Sequence, residues 1–299
     1  MERSPARKFR DRLVYKALRL VAVTARRIPL KTGRLAGHLI GTFAFLVLRR
    51  ERRKSVKHVA TAFPELSPAR HQTIVRKMFG HLGTSLFEIC WIPNLDPDRL
   101  AATTDFESLH HLRDAVDAGK GVVLFTGHCG NWEWLGASMA LVGFDVNTIA
   151  REISDSKMND FIVEIRSLHG VGTIGRGSAA SARAILQTLR SGTILAMLID
   201  QNIEAENVEV PFFGIPALTP VGPARLAIRS GAAAIAAFIE RRGSRQHVRF
   251  EAPIYTQKGD DPRELTRTMT ESIERQVRRC PEQWVWMHKR WRTRNGAGN

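Results

Sequence analysis

The chain is poor in cysteine: Cys90, Cys129 and Cys280 are its only three in 299 residues, widely spaced and without a CxxC pair. That pattern excludes a disulfide framework and fits a reducing compartment. There is no GxxxxGK[ST] loop, no HExxH motif and no other paired metal-ligand spacing, so neither a metal nor a redox cofactor is expected. Gly172, Gly175 and Gly177 form a GxxGxG whose spacing is wrong for a dinucleotide fingerprint. Repeats and low-complexity segments are absent. A secretory signal is absent too, because residues 4–27 are studded with arginine and no small-residue cleavage site follows an apolar run. The apolar stretch over residues 35–48, interrupted by His38, is also short. As a helix it reaches about 21 Å against the roughly 30 Å of a hydrocarbon core.

Acidic residues are scarce at both ends. Residues 1–57 carry 17 Lys or Arg against Glu2, Asp11 and Glu51, and residues 275–299 carry seven against Glu282, within a net charge of +16. A basic pole attracts polyanions, either nucleic acid or an anionic membrane leaflet. The apolar neighbours favour the membrane. Leu13, Val14, Ala17, Leu18 and Val21 share one helical face, and the 35–48 run lies between Arg34 and the cluster Arg49, Arg50, Arg52, Arg53 and Lys54. A short apolar helix between basic clusters suits an interfacial or re-entrant anchor at the cytoplasmic face of a membrane, monotopic or single-pass. Its alternative is a buried core helix. Arg290, Arg292 and Arg294 with Trp286 and Trp291 form a basic aromatic cluster that suits lipid headgroups or stacking on nucleic acid. Nucleic acid explains the charge but not the apolar run, and is not the expected partner.

The expected organisation is a basic amphipathic anchor over 1–57 and a catalytic domain over 58–299. Ile74, Val75, Met78, Phe79, Leu82, Leu86 and Ile89 recur at helical spacing. From about residue 104 short apolar runs alternate with helical patterns. The runs 121–126, 146–150, 171–174, 193–199, 233–239 and 246–251 read as strands, and a last short strand is expected at 284–287. Strands alternating with helices of ten to fifteen residues predict an α/β fold with a mixed, largely parallel sheet flanked by helices.

The chemistry concentrates at Thr126-Gly127-His128-Cys129-Gly130-Asn131-Trp132-Glu133, where a buried strand ends in a glycine turn and a helix begins. Active residues of α/β sheets gather at such carboxyl ends. Glu133 can fold back onto one nitrogen of His128 and raise the basicity of the other, which then takes a proton from an attacking alcohol. The backbone N–H groups of Gly130 and Asn131 are candidates for a developing oxyanion. The spacing also fits a plain helix start, with Asn131 as cap and Glu133 favoured by the helix dipole.

Five ordered blocks carry a wider resemblance: His128 to Glu133, residues 159–170 with Arg166 before Gly170, Asp200-Gln201-Asn202, Val210-Pro211-Phe212-Phe213-Gly214 with Thr219, and residues 284–291. Together they resemble the late acyltransferases of lipid A biosynthesis, with the phosphatidylinositol mannoside acyltransferases as more distant relatives. The resemblance implies a glycerolipid-acyltransferase-like sandwich and transfer of a fatty acyl chain from an acyl carrier protein thioester, or acyl-CoA, to a lipid hydroxyl. It implies inner-membrane lipids, the carrier protein and the lipid acceptor as partners. It makes His128 the general base, assisted by Glu133. Arg166 then meets a phosphate or the donor's phosphopantetheine arm, and Asp200 either completes a relay with His128 or caps the turn after its strand. Arg151 is expected to meet acceptor phosphate, and Phe212 and Phe213 either line the acyl channel, rest on the membrane or pack in an ordinary loop. Cys129, beside the base, is read as a packing residue rather than a nucleophile.

Overall fold

The structure, a computed structural model, describes residues 19–20, 22–150, 156–175 and 179–291. After the helical residues 19–20 and 22–25 come three helices, α1 (Leu30–Val47), α2 (Arg49–Ala62) and α3 (Pro68–Trp91). The α3 helix starts on Ser67, whose hydroxyl accepts from the Arg70 N–H with Pro68 in the first turn, an ordinary capped start. It buries the Ile74, Val75, Met78 and Phe79 face read from the sequence. The anchor boundary expected at 57/58 falls inside α2.

The α1 helix packs against α3 through glycine. A Cβ on Gly41 would sit 2.0 Å from the Phe79 carbonyl oxygen, and one on Gly37 would sit 2.5 Å from that of Gly83. The two backbones therefore approach closer than any side chain allows. The opposite face of α1 leaves Leu35, Leu39, Ile40, Phe43, Leu46 and Val47 between 57% and 66% exposed. Among the described residues, no helix is long and apolar enough to cross a membrane.

The rest is a mixed α/β layer. After α4 (Pro97–Thr103) come β1 (Thr104–Glu107), α5 (Leu109–Asp117), β2 (Val122–Thr126), α6 (Trp132–Leu141) and β3 (Val146–Ala150). They are followed by α7 (Ser156–Ser167), β4 (Gly172–Gly175), α8 (Ala179–Arg190) and β5 (Ile194–Leu198). A hairpin of β6 (Asn207–Phe212) and β7 (Ile215–Pro220) precedes α9 (Gly222–Ser230), β8 (Ala233–Arg242), β9 (Arg245–Phe250) and α10 (Pro262–Arg279). Seven strands form one sheet in the order β1-β9-β8-β2-β5-β3-β4, parallel throughout except for the β8–β9 pair. The fold is the mixed, largely parallel sandwich the alternating pattern predicts. Central β2 is buried at every residue, so it reads as a continuous apolar run rather than an alternating one.

Three features depart from the sequence reading. The β6–β7 hairpin, joined by Phe213 and Gly214 at φ 57° and 71°, was not expected. Such a two-residue turn needs positive φ at both positions. Phe213 accepts that conformation because its ring is buried against Phe63 and beneath the Arg278 guanidinium. The strand expected at 284–287 is a single bridge between Trp284 and Cys129 that follows a 3₁₀ turn, Pro281–Gln283. Two members of the basic aromatic cluster are not on the surface: Trp286 and Arg290 are fully buried. Arg290 donates to the Leu218 carbonyl and the Thr219 hydroxyl and so fastens the hairpin. Burial pulls its guanidinium down to about 10, with Asp200 opposing. Arg292 and Arg294 lie outside the described residues.

Candidate active site

Strand register builds the site. β2 and β5 run parallel with Thr126 opposite Leu198, and the Ile199 N–H continues the ladder onto the Thr126 carbonyl. Two residues further along each strand, His128 and Asp200 meet at the carboxyl edge. His128 Nδ1 lies 2.7 Å from Asp200 Oδ1, and the His128 backbone N–H donates to Oδ2 at 2.7 Å. Gly127 permits this approach, since a Cβ there would lie 3.0 Å from Asp200 Oδ2 and 3.1 Å from Ile273.

Asp200 is buried, 2% exposed. Burial alone would raise its pKa. The charge on His128 and the hydrogen bonds from His128 and Trp284 reverse that and hold it at about 2. The Trp284 contact is an indole N–H donated to Oδ2 at 2.7 Å. An ionised Asp200 fixes the proton on His128 Nδ1 and leaves the Nε2 lone pair as the basic one.

This geometry corrects the pairing read from the sequence. Nδ1 is oriented by Asp200, 72 positions away, and not by Glu133. The Glu133 side chain instead receives a two-point fork from Arg166, Nε to Oε2 at 2.8 Å and Nη2 to Oε1 at 2.6 Å. Glu133 stands in the first turn of α6 and Arg166 in the last turn of α7, each at the helix end whose dipole favours its charge.

His128 and Arg166 line one cleft of about 430 Å³ with Thr148, Gln201 and Glu206, and Trp132, Ile149, Ile185, Met197, Leu198 and Ile199 form its apolar walls. The Trp132 ring meets the His128 ring edge-on at 4.9 Å. An imidazole, a guanidinium and an apolar wall thus share one opening.

Other expected site residues fall elsewhere. The Gly130 N–H donates to the Gln283 carbonyl and is unavailable for an oxyanion. Its φ of 60° is enforced by close approach to the Ile239 carbonyl, which a Cβ would meet at 2.1 Å. The Asn131 side chain is buried, with Oδ1 capping Trp134 N–H and Nδ2 donating to Glu88. Phe212 and Phe213 lie in the aromatic core with Trp284, Trp286 and Trp291, not on the cleft. Arg151 lies outside the described residues. Cys129 is buried and its thiol is pushed well up by burial, the opposite of an activated nucleophile. Among the described residues no cluster of His, Cys, Asp or Glu could hold a metal ion.

The sequence reading missed Trp284 and His288. Trp284 lies in the 284–291 block, and a buried indole must find an acceptor, which here is Asp200. The His288 Nε2 accepts the Asn202 N–H at 3.0 Å and so holds the segment just after Asp200. Burial lowers its pKa to about 4, so near neutrality its ring is uncharged and can act as that acceptor.

An imidazole on a strand edge, hydrogen-bonded to a buried carboxylate beside an apolar cleft, is an arrangement that can abstract a proton. The chain matches the family model of the bacterial lipid A biosynthesis acyltransferases over residues 5–293, and it belongs to that family. It is 26% identical over 202 residues to a phosphatidylinositol mannoside acyltransferase of Mycolicibacterium smegmatis, covering 67% of this chain and 66% of that protein. The chain thus spans just under two thirds of the length of its mycobacterial relative. It is 26% identical over 261 residues to a lipid A biosynthesis palmitoleoyltransferase of Escherichia coli, covering 86% and 84% of the two chains. A lipid A biosynthesis lauroyltransferase of the same organism is 25% identical over 266 residues, covering 85% and 83%.

Proposed function

We propose that the protein transfers a fatty acyl group from a thioester of acyl carrier protein to a hydroxyl of a lipid A precursor, with His128 as general base. The observation that carries this reading is the Asp200–His128 pair opening onto an apolar cleft beside Arg166. His128 Nε2 takes the hydroxyl proton as the acceptor oxygen attacks the thioester carbonyl. A C–O bond forms, the C–S bond breaks, and the proton passes from the imidazolium to the departing thiolate. Asp200 holds the ring in the required tautomer and stabilises the imidazolium. Arg166, itself held by Glu133, supplies fixed positive charge on the cleft wall for a phosphate or phosphopantetheine oxygen.

The chain works at an anionic membrane surface, resting on the exposed apolar face of α1 and on the arginines that follow it. Basic surface also favours an acidic carrier protein during encounter. A second reading, transfer to a mannosylated phosphoinositide or other phospholipid from acyl-CoA, is favoured by the likeness to the mycobacterial enzyme.

The test incubates detergent-solubilised protein with carrier-protein thioesters of varied chain length and a Kdo-bearing lipid A precursor, following product mass. A gain of one acyl group that His128→Ala abolishes supports the reading. No gain there, with transfer to a phosphoinositide mannoside from acyl-CoA, transfers support to the second reading. No gain with any pair from folded protein ends the assignment of His128 as base.

A further inference from the structure

Glu88 is a fully enclosed charge that the mechanism above does not use. Its side chain has no solvent exposure, and it lies on α3 away from the cleft. Five side-chain hydrogen bonds converge on its two oxygens. Oε1 accepts from Arg34 Nε at 2.7 Å, Arg241 Nε at 3.0 Å and Gln246 Nε2 at 2.9 Å. Oε2 accepts from Arg241 Nη2 at 2.5 Å and Asn131 Nδ2 at 3.0 Å. Burial opposes its ionisation, and the two arginines and Asn131 outweigh burial and hold its pKa down.

A buried ionic group is a weak device for stability, because desolvation of three charges offsets most of their attraction. Its value lies in direction: each donor must come from one place. Arg34 arrives from α1, Arg241 from β8, Gln246 from β9 and Asn131 from the turn that carries His128. Asn131 has no freedom left. Its oxygen caps the Trp134 N–H, so its nitrogen must face Glu88. Arg241 extends the hold, since its own N–H and carbonyl grip the two ends of the Gln283 amide while the Gln283 carbonyl accepts the Gly130 N–H.

The geometry points to Glu88 as a positioning residue for the catalytic turn, acting through Asn131 to fix the start of α6 and thereby His128 and Glu133. The inference rests on the reading of His128 as base, although its first readout does not. A turn that moves by even 1 Å costs on the order of a hundredfold in rate without loss of fold.

The informative variant is Asn131→Ser in the full chain. Serine keeps the capping oxygen but has no amide to reach Glu88. Asp261→Ala is the control, because it removes a side-chain cap of the same kind from α10, away from the turn. The first readout is the exchange-protected Nδ1–H proton of His128 in ¹⁵N-histidine-labelled protein. It reports the bond to Asp200 whether or not substrate is known. The second is kcat against KM with the acyl donor and lipid acceptor. Asn131→Ser is expected to lose or broaden the Nδ1–H resonance and to lower kcat by roughly tenfold to a hundredfold with KM little changed. Asp261→Ala is expected to keep both. A resonance and kcat preserved in Asn131→Ser overturn the proposal, as does an equal loss in Asp261→Ala. If the wild-type chain turns over neither acceptor, the functional reading fails and the resonance alone decides this one.

Discussion

Asp200→Asn is nearly isosteric, and the structure dictates which way the new amide points. Oδ2 of Asp200 faces two donors, the His128 N–H and the Trp284 indole N–H, each at 2.7 Å. The asparagine oxygen must take that position, because an NH₂ there would confront two N–H groups. The NH₂ then occupies the Oδ1 position, 2.7 Å from His128 Nδ1, and donates to it. That forces the ring proton onto Nε2, the nitrogen that accepts one in the proposed mechanism. The base is thus in the wrong tautomer although the turn has hardly moved. A tautomer reversal of this kind costs on the order of 10⁴ in kcat, or about 5.5 kcal/mol of transition-state stabilisation. Two of the three hydrogen bonds to the side chain survive and the third is kept with its direction reversed, so the protein should remain folded. The assay is initial-rate acyl transfer at saturating acceptor, with thermal unfolding followed in parallel. Activity within tenfold of wild type in folded Asp200→Asn would refute the relay, and with it the claim that Nε2 of His128 is the working base.

Four further expectations follow from the same geometry. Arg166→Lys replaces a two-point fork by a point charge and is expected to lower kcat/KM by about tenfold to a hundredfold; an unchanged value would remove the Arg166–Glu133 pair from the site. Cys129→Ala should retain activity and lose about 1 kcal/mol of stability as a small buried side chain; abolished transfer in folded protein would revive an acyl-cysteine route. Gly41→Ala places a methyl 2.0 Å from the Phe79 carbonyl oxygen and should destabilise the chain by about 1–3 kcal/mol in a denaturant titration, whereas an unchanged midpoint would deny the close α1–α3 approach. Asp200 has a folded pKa of about 2 against a usual 3.8, so its contribution of about 2 kcal/mol is complete above pH 4 and is lost as pH falls toward 2; Asp200→Asn should flatten that limb of the stability–pH curve, and an identical limb would contradict it.

The strands at 122–126 and 194–198 were legible because buried parallel strands are written as unbroken apolar runs. The β6–β7 hairpin was not, since Pro211, Pro216 and Pro220 interrupt its residues and proline argues against a strand unless that strand is an edge. The run at 284–287 looks like a strand but its aromatic residues serve the core and Asp200. The surface role read for Trp286 and Arg290 failed for a related reason. Composition does not say whether a guanidinium has carbonyl acceptors waiting inside, and Arg290 finds them in the hairpin.

At the site, sequence distance misled where topology informed. Glu133 is five residues from His128, but Asn131 caps α6 between them and starts a helix whose first turn turns Glu133 toward Arg166. Asp200 is remote in the chain, yet β2 and β5 are adjacent and parallel with Thr126 opposite Leu198. Once that pairing is known, position 128 must face position 200. The C-terminal block then acquires a purpose that no spacing reveals. Gln283 takes the Gly130 N–H, Val285 donates to the His128 carbonyl, and Trp284 donates to Asp200. Three consecutive residues thus grip the turn that carries His128 and Asp200 itself. Imidazole, carboxylate and C-terminal segment are therefore one hydrogen-bonded unit.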